Sequence, residues 1–507
     1  MIEIVDPVRS VASGARTSIA PVVVIAVLFG VAHMLTNGQY GSHRDEWQFL
    51  SDAQQLDWGF VPYPPLTAAL EFLGLKMFGL SLVGLRLFSV LAQVLVIVVG
   101  GLMARDLGGA RLATVFTAIA IGFSPVPMFE ATEFQYSSFD LLWWVLIAWS
   151  VIRLLRDDEP RWWIAIGVFA GLGLQTKYSI AFELAGVLVG VLLTDARRYV
   201  ASRWFWAGGF VALLLFVPNL AWLIRHDFIS YHFLQSIHAR DVRLGRAEGF
   251  LRDQFLLNAN LFAAPVWLAG LFAYGRSRRY RMLAWMYAVP LLLFLFAQGR
   301  FYYVSGAYPM LLAMGSVVAE QWLRRLRPAW RVGIATLVLT GVFVIGVYAT
   351  LRIVPIASSG PLRDFALRNN SDLREQIGWD EIVARVAAIR DALPAEQQAN
   401  LGIAVGNYGE YGAIAVMGER YHLPTPITTI NSGWLRGYPQ TPPTTFIVLG
   451  NSRERADQLL FDCRLAGHTN NAWNVGNEES LDHPDIFVCG RPRGSISELW
   501  KRGPEFG

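Results

Sequence analysis

The sequence predicts a polytopic α-helical membrane protein with about eleven transmembrane helices and a C-terminal extracytoplasmic α/β domain. Its 507 residues are 54% hydrophobic and only 16% charged, and its mean hydropathy is +0.38, so lipid is the main solvent of the chain. Apolar stretches of spanning length recur as far as residue 354. Beyond Pro355 they give way to charged residues and mixed helix and strand signals over about 150 residues, enough for one soluble domain.

A spanning helix needs roughly 20 apolar residues. Segments of that kind lie near 19–36, 82–103, 112–128, 140–155, 162–176, 178–194, 205–224, 255–274, 282–297, 303–321 and 332–354. The first is read as an anchor rather than a signal peptide, because its apolar run is long and no small-residue cleavage site follows it. Residues 1–354 are therefore expected to form a transmembrane domain with a long first outer loop at about 37–81. Residues 355–507 are expected to form a soluble α/β domain.

Arginines set the orientation, since short cytoplasmic loops retain positive charge. Arg9 and Arg16 precede the first span, and further arginine groups fall in alternate loops: Arg105 and Arg111; Arg153, Arg156 and Arg161; Arg197, Arg198 and Arg203; Arg276, Arg278, Arg279 and Arg281; Arg324, Arg325, Arg327 and Arg331. A cytoplasmic N-terminus places every group inside, and an odd number of spans then puts the tail outside a plasma (inner) membrane. The net charge of +4 follows from this topology, and no nucleic-acid partner is read from it.

In the tail, Trp379–Leu393 and Arg453–Phe461 have helical spacing, while 401–405 and 445–449 read as short buried strands. The two cysteines, Cys463 and Cys489, both fall in what the topology makes an oxidising compartment. A disulfide and two buried thiols are both open there.

Candidate chemistry concentrates in the first outer loop, GSHRDEWQFLSDAQQLDWGFVPYPPLT (41–67). Asp45 and Glu46 are adjacent, so in a helix they point about 100° apart and only one is expected to reach a given substrate atom. Aromatic residues and the Pro64–Pro65 pair suit a structured segment lying on the membrane surface. The fourth outer loop breaks the positive-inside pattern with Arg225, Arg240, Arg243 and Arg246 and with His226, His232 and His238. A phosphate-binding patch and a basic amphipathic helix on anionic headgroups are the competing readings. The histidines do not have the i, i+4 spacing of a helical metal pair, so no tight zinc site is expected, while a weakly bound divalent cation at Asp45 stays open.

These motifs together resemble bacterial glycosyltransferase family 39, the relatives of protein O-mannosyltransferases and lipid A aminoarabinose transferases, with the GT-C membrane fold. The resemblance rests on Asp45 and Glu46 opening the first outer loop, Pro64–Pro65–Leu66 closing it, and SSFDLLWW with Asp140. GLGLQTK with Thr176 and Lys177, GRFYYVSGAYP from Arg300 to Pro309, and NYGEYGAIAVMGERYHLP in the tail complete it. Where the aminoarabinose transferases carry a lysine that contacts the donor phosphate, this chain has Tyr63.

The resemblance implies transfer of one sugar from a polyprenyl phosphate donor, with inversion, to a lipid, polysaccharide or protein acceptor. Phosphate leaves without a general acid, whereas an acceptor hydroxyl or amine needs a base. Asp45 is the expected base, and Glu46 and Asp140 are the other candidate catalytic residues. Lys177, Arg240, Arg243, Arg246 and Arg300 are candidates for the donor phosphate. Tyr63, Pro64, Tyr302, Tyr408 and Glu410 are candidates for substrate contact, and Trp434 and Tyr438 in the tail are expected more often to pack within their own domain. A transporter or flippase of a lipid-linked sugar is the alternative, but it would be expected to show midplane charges and related halves, whereas here the ionisable residues gather at the outer rim and no repeat is visible.

Overall fold

The computed structural model describes residues 17–507; Arg9 and Arg16 lie outside the described residues. Five described helices are long and apolar enough to cross a membrane: Leu82–Asp106, Tyr136–Asp157, Arg203–Arg225, Phe301–Arg324 and Pro328–Ile353. Phe250–Leu256 and Leu261–Arg276 make a sixth if the pair, bent by 90°, counts as one span. Shorter apolar helices at Ala20–Thr36, Arg111–Gly122, Trp162–Leu174, Ile180–Leu193 and Arg281–Phe296 occupy the remaining predicted stretches. The protein is thus a multi-pass membrane protein.

The chain forms two compact units. The first, residues 17–37, Arg86–Trp222 and Arg240–Val354, contains no strand among its described residues. Lipid gives apolar helices no hydrophobic reason to associate, so close backbone approach has to hold them together. It does so between Ala264–Arg276 and Tyr308–Arg324, where a Cβ on Gly315 would sit 1.8 Å from the carbonyl oxygen of Val266 and one on Gly270 2.0 Å from that of Leu311. Polar residues inside the unit find partners: Asn37 Nδ2 donates to the Ala131 carbonyl at 2.8 Å and Gln93 Nε2 to that of Ser138 at 3.0 Å. At the arginine-rich end, Asp106 accepts from Arg156 at 2.5 Å and from Trp149 Nε1 at 3.0 Å.

The second unit joins Gly38–Leu85 and Leu223–Ala239 to the segment Pro355–Gly507. Its sheet contains β1 (Leu401–Val405), β2 (Thr445–Leu449), β3 (Arg464–His468) and β4 (Asp485–Cys489) in the order β1-β2-β4-β3. Strands β1 and β2 are parallel, pairing Ile403 with Ile447, whereas β4 runs antiparallel to both β2 and β3. The sequence reading does not anticipate β3, which is mostly exposed, or β4, a short apolar run like β1 and β2. One sheet face packs Ile447 and Val488 against Val383 and Val386 of the Trp379–Asp391 helix. The other packs Phe446, Val448 and Phe487 beside the disulfide between Cys463 and Cys489.

The first outer loop is helical at Arg44–Ala53 and Leu66–Phe78. Its apolar residues divide: Trp47 and Leu50 belong to the same core as Ile403 and Val383, whereas Trp58, Leu73 and Met77 stay exposed. The Tyr408–Met417 helix lies directly on this segment, because Gly412 has no side chain; a Cβ there would come within 2.3 Å of the Trp47 carbonyl oxygen.

Candidate active site

In the second unit, His43 caps the Arg44–Ala53 helix. Its Nδ1 accepts from the Asp45 N–H at 3.2 Å, and its own N–H donates to Glu46 Oε2 at 2.6 Å. Glu46, 2% exposed, is thereby committed to a capping box. The neighbouring Asp45 points elsewhere, and its side chain is 31% exposed. Its Oδ1 accepts a hydrogen bond from the Tyr408 hydroxyl at 2.7 Å. Tyr408 opens its helix under an Asn407 cap, and the Arg44 guanidinium lies 5.0 Å above its ring. Burial and the adjacent Asp45 hold the Tyr408 hydroxyl well above its ordinary pKa, so it stays a donor.

Arg44 pairs with Glu478 and, at 3.2 Å, with Glu479. Glu410 is wholly buried, neither carboxyl oxygen has a hydrogen-bond partner among the described residues, and burial with the nearby Glu479 raises its pKa strongly. Tyr63 is also enclosed, 1% exposed, and donates to Asp52 Oδ2 at 2.7 Å while Arg436 Nη2 donates to Oδ1 at 2.9 Å. Pro64 is buried beside it. Trp434 and Trp500 exchange indole N–H bonds with each other's carbonyls at 3.2 and 2.9 Å, and Tyr438 packs on Trp500.

In the first unit, Asp140 sits one turn into the Tyr136–Asp157 helix, 5% exposed, with Oδ2 accepting from Ser179 at 3.1 Å. Lys177 lies in the turn linking the Trp162–Leu174 and Ile180–Leu193 helices. Its ammonium stands 5.1, 5.3 and 4.6 Å from the ring centres of Tyr136, Tyr302 and Tyr303, a cation–π cage. Lys177 forms no ion pair among the described residues, and its charge acts on both Asp140 and Glu130.

Glu130, which the sequence reading missed, accepts from Ser137 at 2.7 Å and Ser138 at 3.0 Å. Burial pushes its carboxyl up to about 7, against the pull of these hydroxyls and of Lys177. Arg300 is bidentate on Asp241, at 2.7 and 2.8 Å, and Arg246 reaches the same carboxylate at 3.1 Å. Burial alone would raise the Asp241 pKa, but the two arginines hold it below the usual range. Arg243 is exposed and Arg240 half-buried, with no hydrogen-bond partner for Nε of Arg240 among the described residues. Among the described residues no three His, Cys, Asp or Glu side chains form a group able to hold a metal ion.

Residues 63–222 match the family described as dolichyl-phosphate-mannose-protein mannosyltransferase. The chain is 25% identical over 358 residues to the lipid A galacturonosyltransferase RgtD of Rhizobium johnstonii, covering 68% of this chain and 72% of the relative. It is 29% identical over 177 residues to the polyprenol-phosphate-mannose–protein mannosyltransferase of Corynebacterium glutamicum, covering 29% of this chain and 34% of that protein. Among solved structures, that of ArnT from Cupriavidus metallidurans bound to undecaprenyl phosphate superposes with a TM-score of 0.58 at 16% identity, over 93% of this chain and 98% of that one. The Archaeoglobus fulgidus oligosaccharyltransferase gives 0.51 at 13% identity, over 78% and 64%. The chain thus has the fold of the GT-C membrane glycosyltransferases and, over residues 63–222, resembles the family of the protein mannosyltransferases.

Proposed function

We propose that the protein moves a sugar from a polyprenyl phosphate carrier to an acceptor at the outer face of the plasma membrane, with inversion, and that Asp45 is the general base. The observation that carries this reading is the state of Asp45: it is the one member of the Asp45–Glu46 pair left partly exposed, and a tyrosine hydroxyl fixes one of its oxygens. A base held in one orientation loses little entropy when an acceptor hydroxyl or amine approaches. The acceptor oxygen or nitrogen attacks the anomeric carbon, its proton passes to the carboxylate of Asp45, and the carrier phosphate departs with the electron pair of the broken bond.

Lys177 is the proposed phosphate contact. It forms no ion pair among the described residues, and three tyrosine rings hold its ammonium in place. Arg300, by contrast, is already paired with Asp241. The names of the relatives support a lipid-phosphate donor: one acts from polyprenol-phosphate-mannose and another structure holds undecaprenyl phosphate. Galacturonosyl transfer to lipid A is the activity named for RgtD, which makes lipid A the first acceptor to try. The test is the anomeric configuration of the product, read by NMR from a donor of known configuration. Inversion agrees with direct displacement assisted by Asp45, and retention overturns it.

A further inference from the structure

We propose that a cavity at the arginine-rich end of the first unit binds an anionic glycerophospholipid. The cavity, of about 1280 Å³, exceeds the roughly 300–1,000 Å³ of ordinary small-molecule sites. Its walls are mostly apolar, with Ala269, Ala273, Val318, Ile334, Val338 and Leu339 among them. The Pro328–Ile353 helix that closes one side is only 22% buried over its apolar window, so that wall is lipid-facing. Trp322 and Trp330 stand exposed at the same end, 49% and 67%, as aromatic residues do at headgroup depth.

The charge at the rim selects the headgroup. Arg278 is taken by Asp195 and Arg198 by Asp158, Arg279 bonds the Leu155 carbonyl, and Glu320 is held by Arg324. Arg276 and Arg325 line the cavity without a carboxylate partner among the described residues; the Arg276 guanidinium rests 4.6 Å from the Phe272 ring. Two uncompensated guanidinium groups above an apolar slot of this size match one phosphodiester and its acyl chains. The site is separate from the Asp140 cluster, because Leu155 on its rim lies fifteen residues further along the same helix, about 22 Å at 1.5 Å per residue.

The test is native mass spectrometry of the delipidated full-length protein titrated with phosphatidylglycerol, phosphatidylcholine or undecaprenyl phosphate. The expected result is one tightly retained phosphatidylglycerol. In the double variant Arg276→Ala/Arg325→Ala its binding weakens by about tenfold or more, each arginine near an anionic headgroup being worth about a factor of five, while phosphatidylcholine is unaffected. The Arg276→Lys/Arg325→Lys variant, which keeps the charges, retains the lipid and controls for folding. Equal retention of phosphatidylglycerol by the alanine variant, equal retention of phosphatidylcholine by the wild type, or displacement of phosphatidylglycerol by undecaprenyl phosphate would each overturn the proposal.

Discussion

The hydroxyl of Tyr408 donates to Oδ1 of Asp45 across 2.7 Å, joining two residues 363 positions apart in the chain. The tail segment NYGEYG therefore serves the first outer loop directly. A hydrogen bond to a charged group is worth about 1.5–3 kcal/mol, and the carboxylate it orients is the proposed base. Tyr408→Phe is expected to lower kcat by about ten- to a hundredfold with KM and melting temperature little changed. A change confined to KM would show that Tyr408 binds substrate instead of positioning Asp45.

Glu130 supplies a pH test. Its carboxyl is pushed up to about 7 by burial, so it is neutral below that pH and anionic above it. The anionic form competes with a donor phosphate for Lys177. The donor KM is expected to rise between pH 6 and 8 in the wild type and to stay flat in Glu130→Gln. Equal slopes in the two proteins would remove Glu130 from the donor site.

Asp52 is 2% exposed and bonded by Tyr63 and Arg436. Burial raises its pKa, and Arg436 works against that shift. Removing the partner of a buried charge costs about 3–5 kcal/mol. Because Asp52 is able to escape by taking up a proton, Arg436→Ala is expected near the lower end, read as a fall in melting temperature. Asp52→Asn added to Arg436→Ala should recover part of the loss; an additive double variant would mean that the pair does not interact.

The bridge between Cys463 and Cys489 closes a loop of 26 residues, for which chain entropy gives about 3.5 kcal/mol. Cys463→Ser/Cys489→Ser is expected to lose about that much stability, and a reductant should lower the melting temperature of the wild type towards that of the variant. No response to reductant would mean that the bridge contributes little.

How much of this the sequence disclosed depended on whether the signal was local. The spans were legible because lipid demands long apolar runs, and β1 and β2 because both are continuous apolar segments buried on two faces. Strand β3, RLAGH, is mostly exposed and owes its conformation to pairing with β4, which no local pattern records. In the site, adjacency implied that only one of Asp45 and Glu46 would be available, but the choice between them depended on His43 acting as the cap. Glu130 and the Asp241–Arg300 pair are defined by contacts 7 to 59 residues apart in the chain. Tyr63, Pro64 and Glu410 are candidates for substrate contact from the sequence, yet all three are buried. The two glycines of GEYG offered a signal for this burial, since small residues in a short helix allow another backbone to approach closely.

The central claim is that Asp45 takes the acceptor's proton in sugar transfer from a polyprenyl phosphate. Its most direct test is carrier release by the purified full-length protein from a panel of polyprenyl phosphate sugars, with membrane extract as acceptor, wild type beside Asp45→Asn. The account predicts release by the wild type with one sugar and a loss of at least about a hundredfold in the variant, at unchanged melting temperature and donor affinity. Release by Asp45→Asn at the wild-type rate would contradict it.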